Sequence, residues 1–154
     1  MFRRKNAQQE VVPALPRCPG DLSLEQVQAT HRHLAQTITA MASADDVLAV
    51  LDQVPMTPRN VLQLTIALGQ QIARMLELIG ASKDYLALPQ PAEPVEKVGR
   101  MLLAEFIQGD TDTALIIART LAEPLAGQPE GLAPQLGRAV VVHLTSVLFQ
   151  YMRA

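Results

Sequence analysis

The chain has 154 residues, of which 49% are hydrophobic and 18% charged, and it carries a formal charge of −2. This composition is too apolar for a disordered protein, and a single domain of this length buries roughly 70% of its unfolded surface. The single cysteine, Cys18, excludes an intramolecular disulfide. The low aromatic content of 3% argues against a base-stacking surface for single-stranded nucleic acid.

Charge is distributed unevenly along the chain. Residues 1–22 contain four basic and two acidic residues, whereas residues 23–154 contain nine basic and thirteen acidic ones. The prolines Pro13, Pro16 and Pro19 favour extended backbone in the first segment. We therefore predict a flexible, basic, proline-containing tail over residues 1–22 and a mildly acidic helical bundle domain over residues 23–154.

Three helix starts are predicted in the first half of the domain. Ser23 is an N-cap residue, and Gln26 three positions later completes a capping box. Ser43 is an N-cap residue followed by two aspartates, and Thr57 precedes a proline at the first helical position. The apolar stripe of the first predicted helix contains Leu24, Val27, His31, Leu34, Ile38 and Met41.

Three further helices are predicted after a turn and linker over residues 82–92. Pro94 opens the first, Asp110 caps the second, and the third covers residues 132–152. Because no segment alternates as a half-buried strand does, the predicted fold class is all-α, a single compact bundle of five or six helices. Gly69, inside the third predicted helix, indicates either the close approach of another helix or a glycine that is merely tolerated.

The last predicted helix is apolar over most of its circumference. Such a helix is either central in its bundle or pairs with another chain. We expect the second arrangement, a two-fold homodimer through this helix. The preferred function is a non-enzymatic protein-interaction module, acting as an adaptor, a chaperone-like protein or a regulator. Its candidate interface is formed by Val140, Val147, Phe149 and Tyr151.

An alternative function is a DNA-associated regulator. Residues 45–75 have the outline of a helix-turn-helix, with basic and amide side chains at the start of the second helix. The acidic body opposes this interpretation, because duplex DNA attracts a basic face. The candidate nucleic-acid contacts are Arg3, Arg4, Lys5, Arg59, Asn60 and Gln63.

The sequence contains no catalytic or phosphate-binding motif, so we expect no enzyme and no cofactor. No metal site is predicted, because His31 and His33 are two residues apart on a helix and point about 200° apart. His31 lies on the apolar stripe, either as a buried core histidine or as a pH-sensitive contact with His143.

A third functional class, a small-ligand binder or enzyme with an interhelical pocket, stays open. The sequence has no signal-peptide pattern, and its most apolar stretch is too short to span a bilayer. The expected location is therefore the cytoplasm, with another protein or a second copy of the chain as partner.

Overall fold

The computed structural model describes residues 18–40, 43–127 and 132–152, and between residues 121 and 136 it describes only the course of the backbone. These ranges contain helices and their connections and no strand, which confirms the all-α class. Arg3, Arg4, Lys5 and Met41 lie outside the described residues. The helices are α1 (Leu24–Thr39), α2 (Ala44–Asp52), α3 (Pro58–Leu78), α4 (Ser82–Ala87), α5 (Pro94–Ile107), α6 (Thr111–Gly127) and α7 (Leu132–Met152).

The described ranges thus hold seven helices, whereas five or six were predicted. The additional one is the six-residue helix α4, which the sequence analysis assigned to a turn and linker. No side chain caps its N-terminus. Tertiary contacts hold it instead. The Tyr85 ring is buried, and the Arg100 guanidinium of α5 donates to the carbonyl oxygens of Leu86 and Pro89 at 2.9 and 2.6 Å.

The three predicted N-caps are confirmed. The Ser23 hydroxyl accepts from the Gln26 N–H at 3.1 Å, and the Gln26 side chain accepts from the Ser23 N–H at 2.9 Å. Ser43 caps α2 in the same reciprocal way. Thr57 caps α3, with Pro58 at the first helical position. These bonds satisfy backbone N–H groups that have no partner within a helix.

Helix α3 lies at the centre of the bundle. It packs against α1, α4, α5, α6 and α7, and its most extensive contact is with α7. The core is formed mainly by leucine, isoleucine and valine side chains, to which α4 adds Tyr85 and α6 adds Ala114 and Ala118. Helix α2 packs against α1 and α7, and Arg138 of α7 forms an ion pair with Asp52 at the end of α2.

Gly69 permits the close approach of α5 to α3. A Cβ atom at position 69 would lie only 2.5 Å from Cε2 of Phe106. Real Cβ atoms essentially never approach a heavy atom so closely, so the ring occupies the space that a side chain would need. This contact supports the first of the two interpretations of Gly69.

The start of the described chain is attached to the bundle by Asn60. This side chain is completely buried. Its Nδ2 donates to the carbonyl oxygens of Gly20 (3.0 Å) and Pro55 (2.8 Å), and its Oδ1 accepts from the Leu22 N–H (2.8 Å). Residues 18–22, which were predicted to belong to the tail, are therefore held against the start of α3.

Candidate functional site

The side chains of the predicted interface on the last helix, α7, pack against the core of the bundle. Val140 is 0% exposed and Val147 8% exposed. Phe149 and Tyr151 are half-buried against the same core, and the Tyr151 ring meets the Tyr85 ring edge to face at a centroid distance of 6.1 Å. Helix α7 is apolar on several sides because α1, α2, α3, α5 and α6 surround it. The four residues therefore already pack within one chain, and dimerisation through α7 stays a prediction.

Two of the predicted DNA-contacting residues, Asn60 and Arg59, are engaged in contacts within the chain. Asn60 is buried and bonded to three backbone groups, so it cannot reach a base edge. The Arg59 side chain is only 12% exposed, with its Nε 3.8 Å from Asp21 Oδ2. Within the proposed helix-turn-helix, α2 packs mainly on α1 and α7 rather than on α3. Gln63 lines a concave surface between α1 and α3, and the other three candidate contacts, Arg3, Arg4 and Lys5, lie outside the described residues.

The two candidate pH-sensitive histidines occupy separate places. His143 packs against the backbone of α5, where a Cβ atom at Gly99 would lie 2.6 Å from its ring. It lines a small cavity of about 180 Å³ beside α4 and α5. His31 lines a different concavity, between α1 and α3, and the two concavities share no residue. The structure therefore does not bring the two histidines together.

Burial lowers the pKa of both histidines from the ordinary value of 6.5, and the charge of Glu96 partly opposes this shift at His143. Between the lowered folded pKa and 6.5, the unfolded chain binds more protons than the folded one. The contribution of each neutral histidine to the free energy of unfolding is therefore complete above pH 6.5. It is lost as the pH falls from 6.5 through the folded pKa. In the cavity that His143 lines, burial raises the pKa of Tyr85 to about 12, and the charge of Arg100 acts in the opposite direction.

Acidification is accordingly expected to reduce the free energy of unfolding, by at most about 1.4 kcal/mol per pH unit for each histidine. Urea denaturation from about pH 7.5 to about pH 5 measures this slope. The double substitution His31→Gln with His143→Gln is expected to give a shallower slope than the unmodified protein. An unchanged slope would show that these two histidines do not supply the pH dependence.

An extended concave surface runs between α1 and α3. One part has a volume of about 580 Å³, and its walls include Val27 and His31 of α1 and Ile66 of α3. A second part, of about 510 Å³, includes Cys18 and residues 21–24. Leu24 and Gln63 belong to both parts, so we treat them as one surface, the α1–α3 groove. It is lined by Cys18, Asp21, Leu22, Ser23, Leu24, Gln26, Val27, Gln28, His31, Arg59, Gln63, Ile66, Ala67, Gln70, Gln71 and Arg74.

Three residues that line this groove carry buried polar atoms without hydrogen-bond partners. Among the described residues, four buried side-chain atoms have no partner. Three of them belong to residues that line the groove: His31 Nε2, Gln63 Oε1 and Asp21 Oδ1. The fourth, Thr65 Oγ1, belongs to a fully buried residue of α3. An unsatisfied buried polar group costs about 1–3 kcal/mol, so three of them in one groove need a physical account.

The chemistry of these atoms defines what the groove accepts. Gln63 Oε1 and Asp21 Oδ1 are acceptors and require N–H or O–H donors. The lowered pKa of His31 favours a neutral imidazole, whose Nε2 either donates or accepts according to its tautomer. The walls around these groups are mixed: five apolar residues (Leu22, Leu24, Val27, Ile66 and Ala67) lie among five glutamines and two arginines, and Leu24 at the rim is 65% exposed. The site therefore suits an occupant with apolar groups and hydrogen-bond donors.

Sequence reasoning singled out His31 and Gln63 but assigned them to other roles, and it placed Asp21 in the tail. The unusual position of His31 on an apolar stripe was the available signal. The rest required knowing that α1 and α3 are neighbours and that residues 18–22 fold back onto α3.

The parts of the chain that the structure describes hold no group of three or more His, Cys, Asp or Glu side chains able to bind a metal ion. None of their helices is both long and apolar enough to cross a bilayer. Comparison of the chain with protein-family models, curated proteins and solved structures finds no match.

Proposed function

We propose that this protein is a non-enzymatic protein-interaction module, and that its α1–α3 groove binds a segment of a partner protein. The observation that carries the proposal is the presence of His31 Nε2, Gln63 Oε1 and Asp21 Oδ1 in one groove, all buried and all without partners. These atoms are closed to solvent in the free protein, so a bound segment would satisfy them only if the lining side chains move, and it would cover Leu24 at the rim at the same time.

The shape of the groove favours a polypeptide as the occupant. Along α3 it extends from Gln63 to Arg74, a distance of about 16 Å at 1.5 Å per residue. A peptide supplies backbone N–H donors at regular spacing together with apolar side chains, which is how helical grooves commonly recognise partner segments. The exposed Leu24 would then be covered by the partner, which accounts for a large apolar side chain at the rim.

Selection of random peptides displayed on phage against the full-length protein tests this function. Enriched peptides are expected to carry apolar side chains beside donor groups. Their affinity is expected to fall about tenfold or more on Leu24→Asp, because a charge at the rim must then be desolvated. Gln63→Met is expected to weaken the same peptides while leaving the free energy of unfolding unchanged or higher, because it removes an acceptor that lacks a partner.

Ile116→Asp is the matched control. Ile116 lies on α6 and is 64% exposed, against 65% for Leu24, so the two substitutions change equally exposed apolar side chains in different places. The control is expected to leave peptide affinity unchanged. Selection that enriches no peptide, or peptides that respond equally to both aspartate substitutions, would refute the groove as the binding surface.

A further inference from the structure

We propose that the cavity between α4, α5 and α7 binds a small aliphatic carboxylic acid, whose carboxylate accepts hydrogen bonds from Arg100 and from the Tyr85 hydroxyl. Side chains from all three helices and from the connection after α4 line this cavity. It shares no residue with the α1–α3 groove, so this proposal does not rest on the function proposed for that groove.

Arg100 places a half-buried positive charge in the cavity wall. Its guanidinium donates to the carbonyl oxygens of Leu86 and Pro89, and its Cζ lies 5.8 Å from the centroid of the Tyr85 ring. These contacts hold the group in place, but none of them brings a negative charge. Within the described chain Arg100 forms no ion pair with a carboxylate. A guanidinium has five N–H donors, so donors remain for an anionic ligand.

The Tyr85 hydroxyl is a second donor in the same cavity. The side chain is only 6% exposed, yet its hydroxyl forms no hydrogen bond with the part of the chain that the structure describes. Unlike the unpartnered atoms of the groove, it is not closed to solvent. Burial raises the pKa of Tyr85 to about 12, so the hydroxyl keeps its proton at neutral pH. A buried tyrosine hydroxyl usually has a partner, and a ligand oxygen would provide one here.

The volume and the apolar walls of the cavity set the size of the ligand. The cavity measures about 180 Å³. An engineered cavity of about 150 Å³ holds benzene, so this one suits a molecule of about six to eight non-hydrogen atoms. Leu88, Pro89 and Val147 provide apolar surface beside the two donors. A short branched acid therefore matches both parts of the wall.

The charges in the wall favour a carboxylate over an amine. Glu96 also lines the cavity, but it is exposed, so water screens its charge more than that of half-buried Arg100. The third titratable group that could be cationic, His143, is neutral at about pH 7.5 because burial lowers its pKa from 6.5. A ligand amine would find its opposite charge at the solvent edge, whereas a carboxylate finds it within the wall.

Titration of the full-length protein with isovalerate at about pH 7.5, followed by tyrosine fluorescence, tests the proposal. The chain has two tyrosines and no tryptophan, and both tyrosines line this cavity, so the emission reports on the site directly. In two-dimensional NMR spectra the amide signals of Gly99 and Val147 are expected to shift, while that of Ile116 stays in place.

Ligands of similar shape and different charge test the chemistry. Isovaleramide lacks the charge and is expected to bind at least tenfold more weakly than isovalerate. Equal affinity for the acid and the amide would overturn the proposal, and so would tighter binding of isopentylamine. A titration with isovalerate that shows no saturation by about 50 mM would also overturn it.

Three variants test the residues. Tyr85→Phe keeps the ring and is expected to weaken isovalerate binding about tenfold without lowering the free energy of unfolding, since the hydroxyl has no partner to lose. Glu96→Gln removes a like charge and is expected to strengthen binding about threefold. Glu93→Gln is the matched control, because it removes an exposed carboxylate of the same segment that does not line the cavity. Unchanged affinity on Tyr85→Phe, or weaker binding on Glu96→Gln, would contradict the proposed site.

Discussion

Asn60→Ala is expected to lower the free energy of unfolding by about 2–4 kcal/mol. The substitution removes three hydrogen bonds from a completely buried position. It leaves the Leu22 N–H and the carbonyl oxygens of Gly20 and Pro55 without their side-chain partner. Urea denaturation followed by circular dichroism measures the loss, and an unchanged denaturant slope would show that the unfolded state is not affected.

Two further variants test whether the loss of stability is specific to the buried amide of Asn60. Asn60→Asp keeps an acceptor for Leu22 but turns a carboxylate toward two carbonyl oxygens, so at neutral pH it is expected to destabilise the protein at least as much as alanine does. Gln36→Ala removes a comparable amide from an exposed position on α1 and is expected to change stability by no more than about 0.5 kcal/mol. An Asn60→Ala protein as stable as the Gln36→Ala protein would contradict the structural role of Asn60.

Gly69→Ala is expected to destabilise the protein by about 1–3 kcal/mol, because the added methyl group overlaps the Phe106 ring. Helix propensity alone predicts the opposite sign, a gain of about 1 kcal/mol in a helix interior. The contact at 2.5 Å decides between the two effects. Urea denaturation of the unmodified protein and of the Gly69→Ala variant measures the net change in the free energy of unfolding.

A double-mutant cycle isolates the contact. In a Phe106→Ala background the ring is gone, so Gly69→Ala is expected to become neutral or stabilising by up to about 1 kcal/mol. The decisive observation is that the effect of Gly69→Ala on the free energy of unfolding changes sign between the two backgrounds. If Gly69→Ala has the same effect in both backgrounds, then the glycine does not serve the approach of α5 to α3.

The parts of the fold that sequence analysis predicted are those decided within a few residues. The Ser23 cap and its Gln26 partner are three residues apart, and Thr57 similarly caps the N–H of Asn60. Such bonds depend on local geometry, so residue type and spacing are sufficient to predict them. The apolar stripe of α1 was likewise predicted, and Val27, Leu34 and Ile38 are buried on it.

The candidate site was less predictable, because its residues owe their roles to distant neighbours. Asn60 at the start of a helix looks the same in sequence whether it faces DNA or binds a connection forty residues earlier. Val140 and Val147 look the same on a dimer surface and in a bundle core. Leu24 belongs to the predicted stripe yet is exposed, since the groove lies beside it.

The sequence by itself determined an all-α domain, its helix starts and the apolar faces of its helices, because these follow from local hydrogen bonding and helical period. Only the tertiary structure decided how each face is used. It enclosed α7 with neighbours on several sides, stabilised the short helix α4 through Arg100, and placed α1 beside α3. That last arrangement created the groove, because His31, Gln63 and Asp21 come from separate parts of the chain and share one surface only when those parts are packed together.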